Sequence, residues 1–479
     1  MAQVKTIEKR AQGCRCGNRT LSEITFAERL LRNCRTSSSH FGYSLNMGKR
    51  FGLILFGIVL AGCLYAQGDN GGTAKERISR IRDLSKKDAS VMPVLAGYLH
   101  DPARDVRIEA VKAIVRIDTE RSLEPLIEAT HDSDEDVQIR ATDGLVNFYQ
   151  PGYVARGLTG PLTRGVRQMK GFFSVRNDQV IDASVQVRPD VAQAIADLVR
   201  QGASVNARAN AALAAGILRD RTAVPALVDA LHAKDNDLLF EALVALQKIK
   251  DPSAGPAVSF LAHDLDERIQ ATALETIGLL RSTSSAPDVR AALEHARSLR
   301  IRRAALDALA QLGQPEDRTT FQRYAEDKDI ALRTSALEGL GRIREPEDFA
   351  TLQKAFDEGD IDWRIHLAAA FAMVNEGKVD TGEFDPLPYL VENLRNRSRA
   401  DVASAYLTEL AARDNVRQAL IQMIPQMDKS QKAAICPVLS AAGTPDAIEA
   451  LNGLAKDRDA DVAAAAAKAE QTAKARRSS

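Results

Sequence analysis

Ten-residue segments of one pattern recur along most of this chain. VRIEAVKAIV begins at Val106, VQIRATDGLV at Val137, VNARANAALA at Val205 and LLFEALVALQ at Leu238. IQATALETIG follows at Ile269, IRRAALDALA at Ile301 and LRTSALEGLG at Leu332. Each opens on an apolar residue, carries alanine fifth and leucine or isoleucine ninth. Positions one, five and nine share one stripe of an α-helix, so each segment reads as a helix with a buried face. Looser copies start at Trp363, Val402, Gln431 and Val462, and successive starts lie 31, 68, 33, 31, 32, 31, 31, 39, 29 and 31 residues apart. A sustained period near 31 is the mark of a repeat architecture and excludes a single globular core.

A shorter apolar stretch precedes each copy. Pro93, Pro125, Pro225 and Pro256 open several of these, 12 or 13 residues before the repeat start. Proline suits a first helical turn, where its missing N–H is not needed. A brief Asp-rich turn such as Asp101-Pro102-Ala103-Arg104-Asp105 then joins two helices. One such hairpin cannot bury its apolar face alone, but stacked neighbours bury it for one another. The expectation is an all-α, right-handed α-solenoid of about 11 hairpins, an armadillo-type superhelix.

These units resemble HEAT repeats of the short, phycobilisome-lyase-like kind. The resemblance is carried by Asp105-Val106-Arg107 with Ala110, Ile301-Arg302-Arg303-Ala304-Ala305, and Leu332-Arg333 with Ala336, and covers about residues 76–472. In later copies Leu367, Tyr406 and Ile435 stand where alanine is expected, so those layers should splay. Glu470 at the ninth position of the last copy gives the polar face of a capping repeat, with residues 473–479 as a frayed tail.

The spacing of 68 leaves an insertion at residues 151–190 between repeats at 76–150 and 191–472. Five glycines and three prolines lie in it, and six Arg or Lys stand against three Asp. Val185-Gln186-Val187 alternates like a short strand. Insertions in solenoids emerge on one face and often make the partner site. Arg156, Arg164, Arg167, Lys170 and Arg176 are therefore binding candidates for an acidic or phosphate-bearing partner. The competing reading packs Tyr153, Phe172 and Phe173 over a solenoid edge.

Lys49-Arg50 precedes the apolar stretch FGLILFGIVLAGCLYAQG, Phe51 to Gly68. Base, apolar core and small residues in that order read as a secretory signal. Its apolar part, Phe51 to Ala66, is 16 residues, short of the roughly 20 that a spanning helix needs. Translation is expected to start at Met47, so residues 1–46 are a non-native extension or a disordered basic arm. Residues 47–66 form the signal and 67–75 a linker. Leu60-Ala61-Gly62-Cys63 resembles the bacterial lipobox, which implies cleavage before Cys63 and a lipid on its sulfur; ordinary cleavage after Ala66 is the alternative. The localisation implied is the cell envelope or periplasm, with the chain membrane-anchored as a lipoprotein.

Lys plus Arg equal Asp plus Glu at 64 each, and residues 1–46 carry eight bases against three acids. The remainder is therefore slightly acidic, which argues against nucleic acid as partner. Five histidines, His100, His131, His232, His263 and His295, each precede a repeat start by six residues. At that position they cap helix C-termini, where a partly positive side chain is favoured. HEAT-like deoxyhypusine hydroxylase binds iron through His-Glu pairs, but this chain has no His-Glu dipeptide. No residues carry bilin-lyase chemistry over either. The expected function is a non-catalytic protein-interaction scaffold binding a protein or peptide, with no metal, cofactor or catalytic residue. A HEAT-like metal-dependent or lyase enzyme is the alternative, and an envelope structural protein a third reading.

Overall fold

A computed structural model divides the chain into two units, of which Gly68–Ser479 is the second. The structure describes residues 72–154, 180–182, 185–359 and 362–478, all in the second unit. Every regular element among them is helical, and the unit is an α-solenoid of helical hairpins. The second helices of the hairpins are α1 Arg104–Ile117, α2 Glu135–Tyr149, α3 Val205–Ile217, α4 Asn236–Ile249, α5 Glu267–Leu279 and α6 Leu299–Leu312. They continue as α7 Ile330–Ile343, α8 Trp363–Glu376, α9 Ala400–Leu410, α10 Lys429–Ala442 and α11 Ala460–Ser478. Ahead of them, Ala74–Leu84 packs on α1 as the second helix of a half repeat. Most first helices are shorter, and most are entered through a 3-10 turn, as at Arg221–Ala223 before Val224–Ala230.

The stripe read from the sequence is the core. Val106, Ala110 and Ile114 are fully buried, as are Ile269, Ala273 and Ile277. Successive second helices stack along it, so each repeat's apolar face is removed from water by its neighbours. At about 25 cal/mol per Å² of apolar surface, each interface contributes several kcal/mol. Small residues let the backbones close up. A Cβ added at Gly341 of α7 would lie 2.4 Å from both Cα and Cβ of Ala372 in α8.

In three copies the register differs from the sequence alignment. Val205 is 42% exposed, and Ala207, Ala211 and Ala215 hold the stripe instead. In α8 the stripe is Ile365, Ala369 and Met373, so the small residue is present and Leu367 is not its replacement. In α9 it is Ala403, Leu407 and Ala411, one residue on from the expected start. Alanine-rich helices offer several nearly equivalent apolar stripes, and packing chooses among them.

The Asp-rich turns work as local hydrogen-bond devices. Asp132 accepts from the Asp134 amide at 2.8 Å, and Asp134 then caps α2 by accepting from Asp136 and Val137. The same pair recurs at Asp264 with Asp266, Asp327 with Asp329 and Asp457 with Asp459. Arginines of one repeat lock onto the turn of the next. Arg107 grips Asp132 through Nε and Nη2 at 2.6 and 2.9 Å, and Arg303 reaches Asp329 at 3.0 Å. Arg333 reaches Glu358 at 2.7 Å, while Arg364 folds back on its own cap, Asp362.

Both ends of the insertion are anchored on the repeats. The Val154 amide donates to Asn147 of α2, the Ile181 amide to the Ile217 carbonyl at the end of α3, and the Arg188 amide to the Tyr149 hydroxyl. Residues 185–188 are irregular rather than a strand, and Pro189 already opens the next helix, Pro189–Gln201. At the other terminus α11 runs on through Ser478, where the sequence suggests a tail from 473; the Lys474–Glu470 pair one turn apart at 2.6 Å supports that extra length.

Candidate functional site

Second helices far apart in sequence meet on one side of the solenoid. Arg342 of α7 makes a two-point ion pair with Glu409 of α9 at 3.0 and 3.1 Å. Arg281, just past α5, reaches the same carboxylate at 3.2 Å, four repeats away. The Tyr406 hydroxyl of α9 donates to Glu338 of α7, and Arg342 also pairs with Glu338 at 3.0 Å. Side chains two and four repeats apart touch only on the inside of a bend, so this is the concave wall. Lys468 of α11 likewise pairs at 2.9 Å with Asp182, in the segment that enters the third repeat.

In the register the structure sets, the seventh position supplies the wall. It is Glu275 in α5, Asp307 in α6, Glu338 in α7, Phe371 in α8 and Glu409 in α9. Phe371 is fully buried, stacks on Tyr406 at 4.7 Å, and lies under the Arg342 guanidinium 4.9 Å from its centroid. Gln311 donates to Asp307 at 2.8 Å.

The wall shifts its ionisable groups. Burial, reinforced by Glu338 and opposed by Arg342, pushes the Asp307 carboxyl up to about 7. Burial raises Glu275 as well, against Arg300. The Tyr406 phenol rises through burial and the Glu338 carboxylate. Burial acts the same way on Glu409, but Arg342 and Arg281 outweigh it and hold this carboxyl below its ordinary range. The arrangement is a strip of partly buried carboxyls, already engaged by cationic and hydrogen-bond-donating groups of the chain itself: Arg342, Arg281, Tyr406 and Gln311.

Sequence reasoning missed this strip. Acids recur at the seventh position of three successive copies, Glu275, Asp307 and Glu338, and that periodicity was the available signal. The candidates that sequence reasoning did name, Arg156, Arg164, Arg167, Lys170, Arg176 and Cys63, lie outside the described residues. The histidine register makes contacts between repeats rather than caps alone: His100 meets Glu128 at 3.0 Å, His263 meets Asp288 at 3.1 Å, and His232 stacks on Phe260 at 4.9 Å. Among the described residues no three His, Cys, Asp or Glu side chains are placed to hold a metal ion, and no helix is long and apolar enough to cross a membrane. Cys436 is buried, donates to the Lys432 carbonyl, and burial pushes its thiol up to about 11.

The HEAT repeats family matches residues 74–146 and 256–321. Phycocyanobilin lyase subunit alpha of Nostoc sp. (strain PCC 7120 / SAG 25.82 / UTEX 2576) is 31% identical over 156 residues, 30% of this chain and 54% of that protein. The chain thus spans about half the length of that relative. Among solved structures, the complex of CpcE and CpcF of phycocyanin lyase from Nostoc sp. PCC7120 aligns at 19% identity over 60% of this chain and 94% of that one, with a TM-score of 0.32. Human deoxyhypusine hydroxylase in complex with glycerol aligns at 19% identity over 53% and 96%, with a TM-score of 0.26. The chain carries HEAT repeats stacked as an α-solenoid, and over part of them it is similar to a phycocyanobilin lyase subunit.

Proposed function

We propose that this chain is a non-catalytic scaffold that binds a protein or peptide along its concave wall, held at the cell envelope by a lipid on Cys63. The observation that supports the binding reading is the contact of Arg281 and Arg342 with one Glu409 carboxylate. A segment lying along this wall would meet its exposed members, such as Arg281, whose side chain is 62% exposed. Leu279, 41% exposed on the same stripe one turn beyond Glu275, adds apolar surface to it.

The test places a photoreactive residue at 279 and, as control, at Val94 in the helix Met92–Gly97. A discrete adduct of one mass from position 279 and none from 94 is the expected result. Equal labelling from both, or none from 279, refutes concave-wall binding. The anchor is tested by the mass of the mature N-terminal peptide from native membranes, with Cys63→Ala as control. A diacylated Cys63 lost in the variant supports the lipoprotein; a peptide starting at Gln67 supports a soluble exported form, and an unprocessed residue 1 refutes export.

The similarity to a phycocyanobilin lyase subunit favours one second reading, an enzyme of that kind. Purified protein that acquires visible absorbance on incubation with phycocyanobilin would support it.

A further inference from the structure

Each second helix must end and reverse, and many do so through a residue with positive φ. In α6, α8 and α10 that residue is glycine, Gly313, Gly377 and Gly443, and after α1 it is Asp118 at φ 48°. After α3, α4, α5 and α7 it is Arg219, Lys250, Arg281 and Arg344, at φ 51, 56, 51 and 64°. Counted from the buried first residue of each helix (Ala207, Leu238, Ile269 and Leu332), all four occupy one position. They therefore stand in a row along one edge of the solenoid, with Gly313 as the gap and Asp118 at the same position after α1.

The left-handed region is strained for any residue with a Cβ, and glycine relieves it. The helix dipole favours a cation anywhere in the last turn, so it does not account for keeping one at the strained residue. Strain retained at equivalent positions points to a use for the side chain. All four side chains are exposed. Two of the rungs already face carboxylates of this chain: Arg281 pairs with Glu409 at 3.2 Å, and Asp182 lies beside Arg219. Among the described residues no ion pair holds Lys250, while the Arg344 charge acts on the Glu376 carboxylate. Acids follow three of the rungs: Asp220 and Asp251 accept from the Thr222 and Ser253 amides, and Glu345 is half-buried.

We infer that this row of Arg219, Lys250, Arg281 and Arg344 is a docking rail for an acidic, extended protein segment. Packed helices lie about 8–10 Å apart, and an extended chain advances about 3.3 Å per residue. The rail is therefore in register with carboxylates at every third residue. The inference rests on the scaffold reading and specifies which partner chemistry this edge takes.

The probe is a fluorescent peptide of repeated Asp-Ser-Gly, followed by anisotropy on the full mature chain. Controls are a peptide of equal composition with its acids clustered, the Lys-Ser-Gly analogue, and a mixed-sequence single-stranded DNA. The variants are Lys250→Gly, Arg344→Gly, the pair together, and Arg344→Lys. Glycine suits the left-handed turn, so these proteins keep their fold and their circular dichroism. The expected result is salt-sensitive binding of Asp-Ser-Gly alone, weakened about threefold by each glycine and about tenfold by the pair. Arg344→Lys retains it. Binding unchanged in the double variant, or equal binding of the clustered peptide or the DNA, overturns the inference. Failure here with position 279 still giving its adduct leaves the scaffold standing; loss of that adduct removes the scaffold reading itself.

Discussion

Replacing Asp307 by asparagine removes one charge from the concave wall and leaves the hydrogen bond from Gln311 with an acceptor. The wild-type carboxyl titrates at about 7 in the folded chain, through burial first and the Glu338 charge second. In the unfolded chain it titrates near 3.9. The folded state thus holds this proton more tightly, so the stabilisation is fully present below about pH 4 and is lost as pH rises through about 7. Each pH unit in that window costs up to about 1.4 kcal/mol. Between pH 5 and pH 8 the ceiling is about 2.7 kcal/mol, covering the two units up to the folded value. The side chain keeps some contact with water, which screens the interaction and brings the expectation to about 1–2 kcal/mol. Urea unfolding followed by far-UV circular dichroism at pH 5, 6, 7 and 8 measures it. The wild type should weaken by that amount relative to Asp307→Asn as pH rises, and the variant should be the more stable protein at pH 8. Two proteins that track each other from pH 5 to pH 8, or a variant weaker at pH 8, would refute the claim that Asp307 sits charged against its surroundings.

The close approach of α7 and α8 makes Gly341→Ala destabilising by about 2–3 kcal/mol, since the new Cβ meets Ala372 backbone that cannot yield. Gly453→Ala, in the helix Pro445–Leu454 with nothing within 4 Å of the added carbon, should instead gain about 0.5–1 kcal/mol; thermal unfolding of the pair decides both. Arg107→Ala, which frees the half-buried Asp132, should cost about 1–3 kcal/mol in the same assay, against almost nothing for Lys86→Ala in its exposed pair with Asp83. The Cys436 thiol, raised to about 11 and buried, should resist a thiol reagent at pH 8 in the native protein and react on unfolding.

The repeat was legible because a helix face is a local property. Alanine fifth and leucine ninth report which residues meet a neighbour, and Ala110, Ala141, Ala242, Ala273, Ala305 and Ala336 are all fully buried as that pattern requires. The register of α3, α8 and α9 was less legible for the opposite reason. In α3, Val205, Ala207, Ala209, Ala211 and Ala212 offer competing stripes, and the choice depends on what α2 and α4 present. The wall was the least legible. Glu338 and Tyr406 are 68 residues apart, and their meeting depends on how much each layer rotates, which no single repeat encodes. Tyr406 shows the difference. As a misplaced bulky residue it predicts a splayed layer; one residue off the stripe, it reaches across the bend instead.

That displacement ties the curvature to the chemistry of the wall. Phe371 fills the seventh position of α8, where the neighbouring helices carry acids, and its ring receives Tyr406 on one side and the Arg342 guanidinium on the other. An acid in place of Phe371 would stand beside Glu338 and Glu409 and hold the layers apart by repulsion. The apolar ring removes that repulsion, and Arg342 then balances Glu338 and Glu409 together. The bend that results carries Arg281 to Glu409 and encloses Asp307, whose raised proton affinity follows from the enclosure. Curvature and wall charge between α5 and α9 are thus consequences of one packing arrangement. A substitution that straightened α7 to α9 would alter both at once, without touching the buried stripes that hold each pair of neighbours together.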